Sequence, residues 1–134
     1  MLRTAARLFG LAFILIGILG FVPGITDGHM LLGVFHVNTA RNLVHLLSGA
    51  LALVAASSGV AASRTFFRVF GLAYGLVAIL GFLGGDQPVL GFISNNLADT
   101  WLHATIALAA LVLGFAVTPE PEEPRPIGPA QPTA

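Results

Sequence analysis

Two histidines are the residues whose type and setting could do chemistry. His45 and His103 stand inside otherwise apolar stretches, and each closes a short polar string. The first string is Asn38, Arg41, Asn42, His45; the second is Asn96, Asp99, His103. An imidazole can accept or donate a hydrogen bond, carry a proton or ligate a metal. Three chemistries follow. Each His could be neutral and hydrogen-bonded across a bundle to Asn42, Ser48 or Thr105. The two could form a ligand pair for a haem iron or a metal. Or they could serve a proton or quinone site, with Asp99 beside His103. His29 and His36 lack counterparts of this kind, Ser94 standing where His36 would recur, and are expected at a lip of the structure. Other constellations are missing from the chain: no HExxH, no phosphate-binding glycine loop, and no Ser-His-Asp order with a nucleophile elbow. The absence of cysteine removes disulfides, thiolate ligands and thiol nucleophiles.

What must position these residues is set by composition. The chain has 134 residues, enough for one domain. Only 9% are charged and 56% are apolar, against roughly 25% charged in a soluble chain. That is too little charge to coat a water-facing surface, so lipid is the expected solvent and the bilayer the first partner. Net charge is zero and lysine is absent, so no basic field exists for nucleic acid.

Four apolar runs cover residues 5–22, 43–60, 66–83 and 101–117. Each is near the lower end of the roughly 17–25 residues needed to span a bilayer as a helix. In lipid the backbone must satisfy itself, so helices are expected. No small-x-small cleavage site follows the first run, which reads as a retained span. Arg3, Arg7, Arg64 and Arg68 mark one side of the membrane and Arg41 the other. The positive-inside rule then places both termini and the middle loop in the cytoplasm. Residues 118–134 carry six of the eight prolines and read as a disordered, Pro-rich cytoplasmic tail.

The runs also repeat. Arg7-Leu8-Phe9-Gly10-Leu11-Ala12 matches Arg68-Val69-Phe70-Gly71-Leu72-Ala73, at an offset of 61 positions. Beyond the next loop, Leu32-Gly33, Asn38, Ala40 and His45 match Leu90-Gly91, Asn96, Ala98 and His103 at an offset of 58. The expected architecture is a four-helix transmembrane bundle built from two tandem parallel hairpin repeats, about 5–60 and 66–117, within a domain spanning 1–117. Two hairpins entering from the same side are related by an axis along the membrane normal. Matched residues then share a depth: Arg41 with Asp99, His45 with His103. Asn38 and Asn96 suit helix N-caps. Asp99 lies where a carboxylate meets the positive end of a helix dipole, whereas Arg41 faces that dipole unfavourably. An Arg41–Asp99 ion pair between the second and fourth helices answers both. Small residues, among them Gly71 and Gly75 in GxxxG spacing, should allow close packing within the bundle or in a homodimer.

The strings Leu31-Leu32-Gly33-Val34-Phe35-His36-Val37-Asn38 and Asn42-Leu43-Val44-His45-Leu46-Leu47-Ser48-Gly49, with Asn95-Asn96-Leu97-Ala98-Asp99 and His103, resemble a bacterial family of four-helix integral membrane proteins. That family is catalogued as a domain of unknown function, and the resemblance covers about residues 5–117. The resemblance implies a four-span protein of the bacterial inner membrane and supplies no activity. The layout is also loosely similar to DoxX-like proteins, some of which serve quinone-linked oxidoreductases; the cysteines of some of those are absent here. Two functions are therefore expected: a non-enzymatic partner or accessory subunit of the cell envelope, or a redox, haem, metal or quinone subunit using His45 and His103.

Overall fold

Long apolar runs without internal proline give four helices. The computed structural model describes residues 1–117; the Pro-rich tail expected at 118–134 lies outside them. Helix α1 spans Leu2–Leu19, α2 Thr39–Ser58, α3 Val60–Gly84 and α4 Leu97–Leu111, the last continued by a π-helical turn at Val112–Ala116. With that turn, the four are 18, 20, 25 and 20 residues long, and all are apolar enough to cross a membrane. At about 1.5 Å per residue each reaches roughly 27 Å or more, close to the hydrocarbon thickness.

Large apolar side chains face outward. Leu8, Leu11, Leu15 and Ile18 of α1 recur at spacings of three and four, and all are about half exposed or more. Leu43, Leu47, Leu51 and Val54 do the same on α2. Such rows suit lipid and would be a liability in water. The protein is thus a multi-pass membrane protein, with small, aromatic and polar residues turned inward.

The helices alternate in direction and pack as two hairpins, α1 with α2 and α3 with α4. In the first, a Cβ on Gly10 would come 2.8 Å from the Gly49 carbonyl oxygen, and one on Gly49 would come 2.7 Å from that of Gly10. Backbones therefore touch, as association in lipid requires. The contacts recur at matched positions. Gly10 meets Leu53 as Gly71 meets Leu111, and Gly20 meets Asn42 as Gly81 meets Thr100. Of the GxxxG pair only Gly71 is closely packed; at Gly75 the nearest atom to an added Cβ is Ala107 Cβ, 3.9 Å away.

Aromatic rings join the hairpins. Phe9 and Phe13 of α1 pack on Phe66, Phe67, Phe70 and Tyr74 of α3, with ring centroids 4.8 Å apart for Phe9–Phe70 and 5.7 Å for Phe13–Tyr74.

Three local features depart from the expected layout. The middle loop is a single residue, Gly59, because the stretch after it forms helix at once. Gly59 has φ 121° and ψ −175°, a region open essentially to glycine alone. Ser63, expected in that loop, is fully buried and donates to the carbonyls of Gly59 (2.8 Å) and Ala55 (3.2 Å). Second, the loop after α1 contains a small antiparallel sheet: β1 (Thr26–Asp27), β2 (Met30–Leu31) and β3 (Phe35–His36), in sequential order. Strands of two residues leave no periodicity to read. Third, α4 widens into its π-helical turn where α3 arginines capture its carbonyls. Arg68 Nε donates to Gly114 O at 2.8 Å, and Arg64 donates to Val117 O. Arg68 also lies over the Phe115 ring, 4.8 Å from its centroid.

Candidate functional site: the polar clasp between hairpins

The two loops after α1 and α3 lie at one end of the bundle, where α2 and α4 begin. Asn38 and Asn96 are both extended, with φ of −145° and −142°, as N-caps are. Asn38 Oδ1 accepts from Arg41 N at 2.9 Å, and Asn96 Oδ1 accepts from Asp99 N at 2.9 Å. The Asp99 carboxylate returns the bond, accepting from Asn96 N at 3.1 Å to complete a capping box. Arg41 occupies the matching place on α2, where a cation opposes the helix dipole. Its guanidinium instead leaves its own helix. Nη1 donates to His36 O at 2.6 Å, and Nη2 donates to Asp99 Oδ1 across to α4. Asp99 Oδ2 accepts a further bond from His36 N at 3.1 Å.

The Arg41–Asp99 pair is almost fully buried, with residues 2% and 0% exposed. Two unit charges so far from water are tolerated only when paired and hydrogen-bonded. The N-cap amides lock it from both sides. Asn38 Nδ2 donates to Phe92 O at 2.7 Å, and Asn96 Nδ2 donates to Val34 O at 2.8 Å. These two bonds are reciprocal: each cap reaches the loop of the other hairpin, at positions 58 apart.

The family model described as Domain of unknown function (DUF4383) matches residues 3–116. The chain belongs to this family. It is the kind of family that the FHVN and NLVHLLSG strings imply, one without a characterised role. No curated protein matches the chain. No solved structure matches it either.

Below the clasp sit the two histidines. His45 is buried, and its Nδ1–H donates to Arg41 O at 3.0 Å, which leaves Nε2 as the acceptor. Its ring stacks on Phe13 at 5.1 Å. His103 is equally buried, with Tyr74 edge-on at 5.4 Å, and its Nδ1 has no hydrogen-bond partner. The partners expected for these rings are engaged elsewhere. Asn42 is buried against Gly20. Ser48 Oγ lies 3.5 Å from Tyr74 Oη. Thr105 is exposed and donates to Trp101 O at 2.9 Å.

Members of the site absent from the sequence-based set are His36, Asn95 and Thr100. His36, expected at the lip, is half-buried inside the clasp: its N–H and C=O join the ion pair, and its Nδ1 donates to Asn95 O at 3.2 Å. Asn95 and Thr100 are fully buried; Asn95 Nδ2 donates to Gly85 O at 2.9 Å and to Thr100 Oγ1 at 3.0 Å. In the sequence Asn95 stands only in the Asn95-Asn96-Leu97-Ala98-Asp99 string that carries the family resemblance.

A groove of about 560 Å³ runs between α2 and α3, lined by Val44, Leu51, Val54, Phe66, Val69 and Val77 among others, with Ser48 and Tyr74 among its polar contributors. Among the described residues no group of three His, Asp or Glu is placed to hold a metal ion.

Proposed function

We propose that this chain is a non-enzymatic accessory subunit or partner protein of a bacterial cytoplasmic membrane, with both termini in the cytoplasm. One observation carries the reading: most polar groups of the interior, His103 Nδ1 excepted, spend their hydrogen bonds on structure. Arg41, Asp99, Asn38, Asn96 and the His36 backbone tie loop to loop and hairpin to hairpin. That suits a rigid scaffold whose lipid-facing rows are free to meet another membrane protein or a second copy. The arginines at the opposite end support the cytoplasmic placement of the termini. The matched Gly–Leu and Asn–carbonyl contacts support an origin by tandem duplication of one hairpin. The expected division into a domain at 1–117 and a tail at 118–134 belongs to the same reading.

A second reading rests on His103 Nδ1, buried without a partner beside Tyr74. Here His45 and His103 hold a haem, a metal or a quinone. Mild-detergent extraction followed by native electrophoresis and an absorption spectrum separates the two. The accessory reading expects a colourless chain that migrates in an assembly larger than itself. A chain migrating alone, with a Soret band or bound metal lost in both His45→Ala and His103→Ala, would replace it with the cofactor reading.

A further inference from the structure

The two outer loops share a backbone anomaly. Leu32 and Leu90 have φ of 54° and 55°, and each precedes a glycine with φ of 70° or 81°. A left-handed conformation is disfavoured for a side chain like leucine, whose Cβ crowds the following carbonyl oxygen. It occurs here twice, at matched positions. In both places the strained turn lifts an apolar side chain outward: Leu32 and Leu90 are each 67% exposed, and Val34 and Phe92 beside them are 48% and 57% exposed. Strain held at a repeated site points to a use for the shape it imposes.

The position of the tips identifies what meets them. Each is tied above a helix of the other hairpin, Val34 O to Asn96 at the start of α4 and Phe92 O to Asn38 at the start of α2. The residue after Asn96 is Leu97, which opens the exposed row of α4 that continues to Trp101. Phe82 of α3 packs edge-on against Trp101, with centroids 4.9 Å apart. An exposed tryptophan at this level is a mark of the membrane–water interface. The apolar row of α4 thus leads up to the first tip. The charged residues of these two loops are Asp27 and Asp86, with no Lys or Arg, so an anionic headgroup is not what the tips attract. Lipid surrounds the bundle and meets both alike.

We propose that the Leu32–Val34 and Leu90–Phe92 tips insert into the bilayer interface as paired apolar anchors, fixing the depth of the loop end of the bundle. The energetic source is burial of apolar surface at the headgroup–acyl boundary. The strained leucines hold the tips in the shape that insertion needs.

Tryptophan quenching in vesicles tests this. In a Trp101→Phe background, which removes the chain's single tryptophan, Val34→Trp and Phe92→Trp each report on one tip without altering a left-handed residue. The full chain is reconstituted into phosphatidylcholine vesicles, with or without lipids brominated near the headgroup. Emission from both reporters should be roughly halved by the brominated lipid, as for a group 5–10 Å into the interface, and should resist aqueous iodide. Quenching by iodide at either tip, or by bromine at only one, would overturn the proposal; it would point instead to a water-facing surface that a protein covers. Leu32→Asn with Leu90→Asn gives a second readout, since asparagine accepts the same backbone. With helix content unchanged, this pair should raise iodide access to both reporters; unaltered access would also overturn it.

Discussion

Arg41 of α2 and Asp99 of α4 stand at corresponding places in the two hairpins, carry opposite charges and close on each other out of reach of water. Each answers a problem the other has. The cation opposes its own helix dipole, and the carboxylate, already capping α4, would otherwise be a buried anion.

Removing both partners should therefore cost less than the two single losses added together. Arg41→Met and Asp99→Asn are each expected to destabilise the bundle by about 3–5 kcal/mol, the usual range when one buried charge is left alone. The double variant should lose less than the sum, with a coupling of about 1–3 kcal/mol. Denaturant unfolding in detergent, followed by circular dichroism, measures the cycle. Additive losses would mean that the pair does not hold the hairpins together.

The N-cap asparagines should behave alike but not equally. Asn38→Ala loses a cap bond and the bond to Phe92 O; Asn96→Ala loses the same two kinds of bond and leaves the Asp99 half of the capping box without its reciprocal bond. About 1–2 kcal/mol is expected for Asn38→Ala, with Asn96→Ala the larger loss in the same unfolding assay. Equal stability of the Asn96→Ala variant and the parent would contradict the clasp.

Glycines at the helix seams offer an internal control. At Gly49 a Cβ meets a backbone oxygen at 2.7 Å, whereas at Gly75 it meets only Ala107 Cβ at 3.9 Å. Gly49→Ala should destabilise by about 1–3 kcal/mol through overpacking. Gly75→Ala should be neutral or stabilising, by up to about 1 kcal/mol of helix propensity. The opposite ranking would mean that the α1–α2 seam is not the close one.

Gly59 is the whole of the connection between hairpins, in a conformation other residues avoid. Gly59→Ala is expected to cost about 1–3 kcal/mol, and inserting two further glycines beside it should lessen that loss. A Gly59→Ala variant as stable as the parent would contradict a one-residue turn.

The sequence made the spans legible because lipid-facing helices are apolar over their whole length, and it made Asn38, Asn96 and the Arg41–Asp99 pair legible because matched positions recur in one chain. The rest depended on interactions that leave no pattern. A turn of one glycine looks like any glycine between apolar runs, and Ala61-Ala62-Ser63-Arg64 carries no breaker to say where α3 starts. Two-residue strands are too short to alternate. His36 joins the clasp mainly through its backbone, which no side-chain motif records. His45 bonds the carbonyl four residues back in its own helix rather than a side chain across the bundle, and a backbone partner leaves no trace in residue types. Arg64 and Arg68 bond the backbone carbonyls of Val117 and Gly114 at the π-helical turn, and carbonyl acceptors leave no side-chain signal in the sequence.

The central claim is that four crossings bring both polar loops to one side, and labelling tests it most directly. The chain has no cysteine, so single cysteines at His29, Asp86, Thr4 and Ala61 can be read one at a time with a membrane-impermeant maleimide. His29→Cys and Asp86→Cys should react in intact cells, and Thr4→Cys and Ala61→Cys only after permeabilisation. Labelling of positions 29 and 86 from opposite sides, or of position 61 together with them, would contradict the paired-hairpin bundle and the clasp built on it.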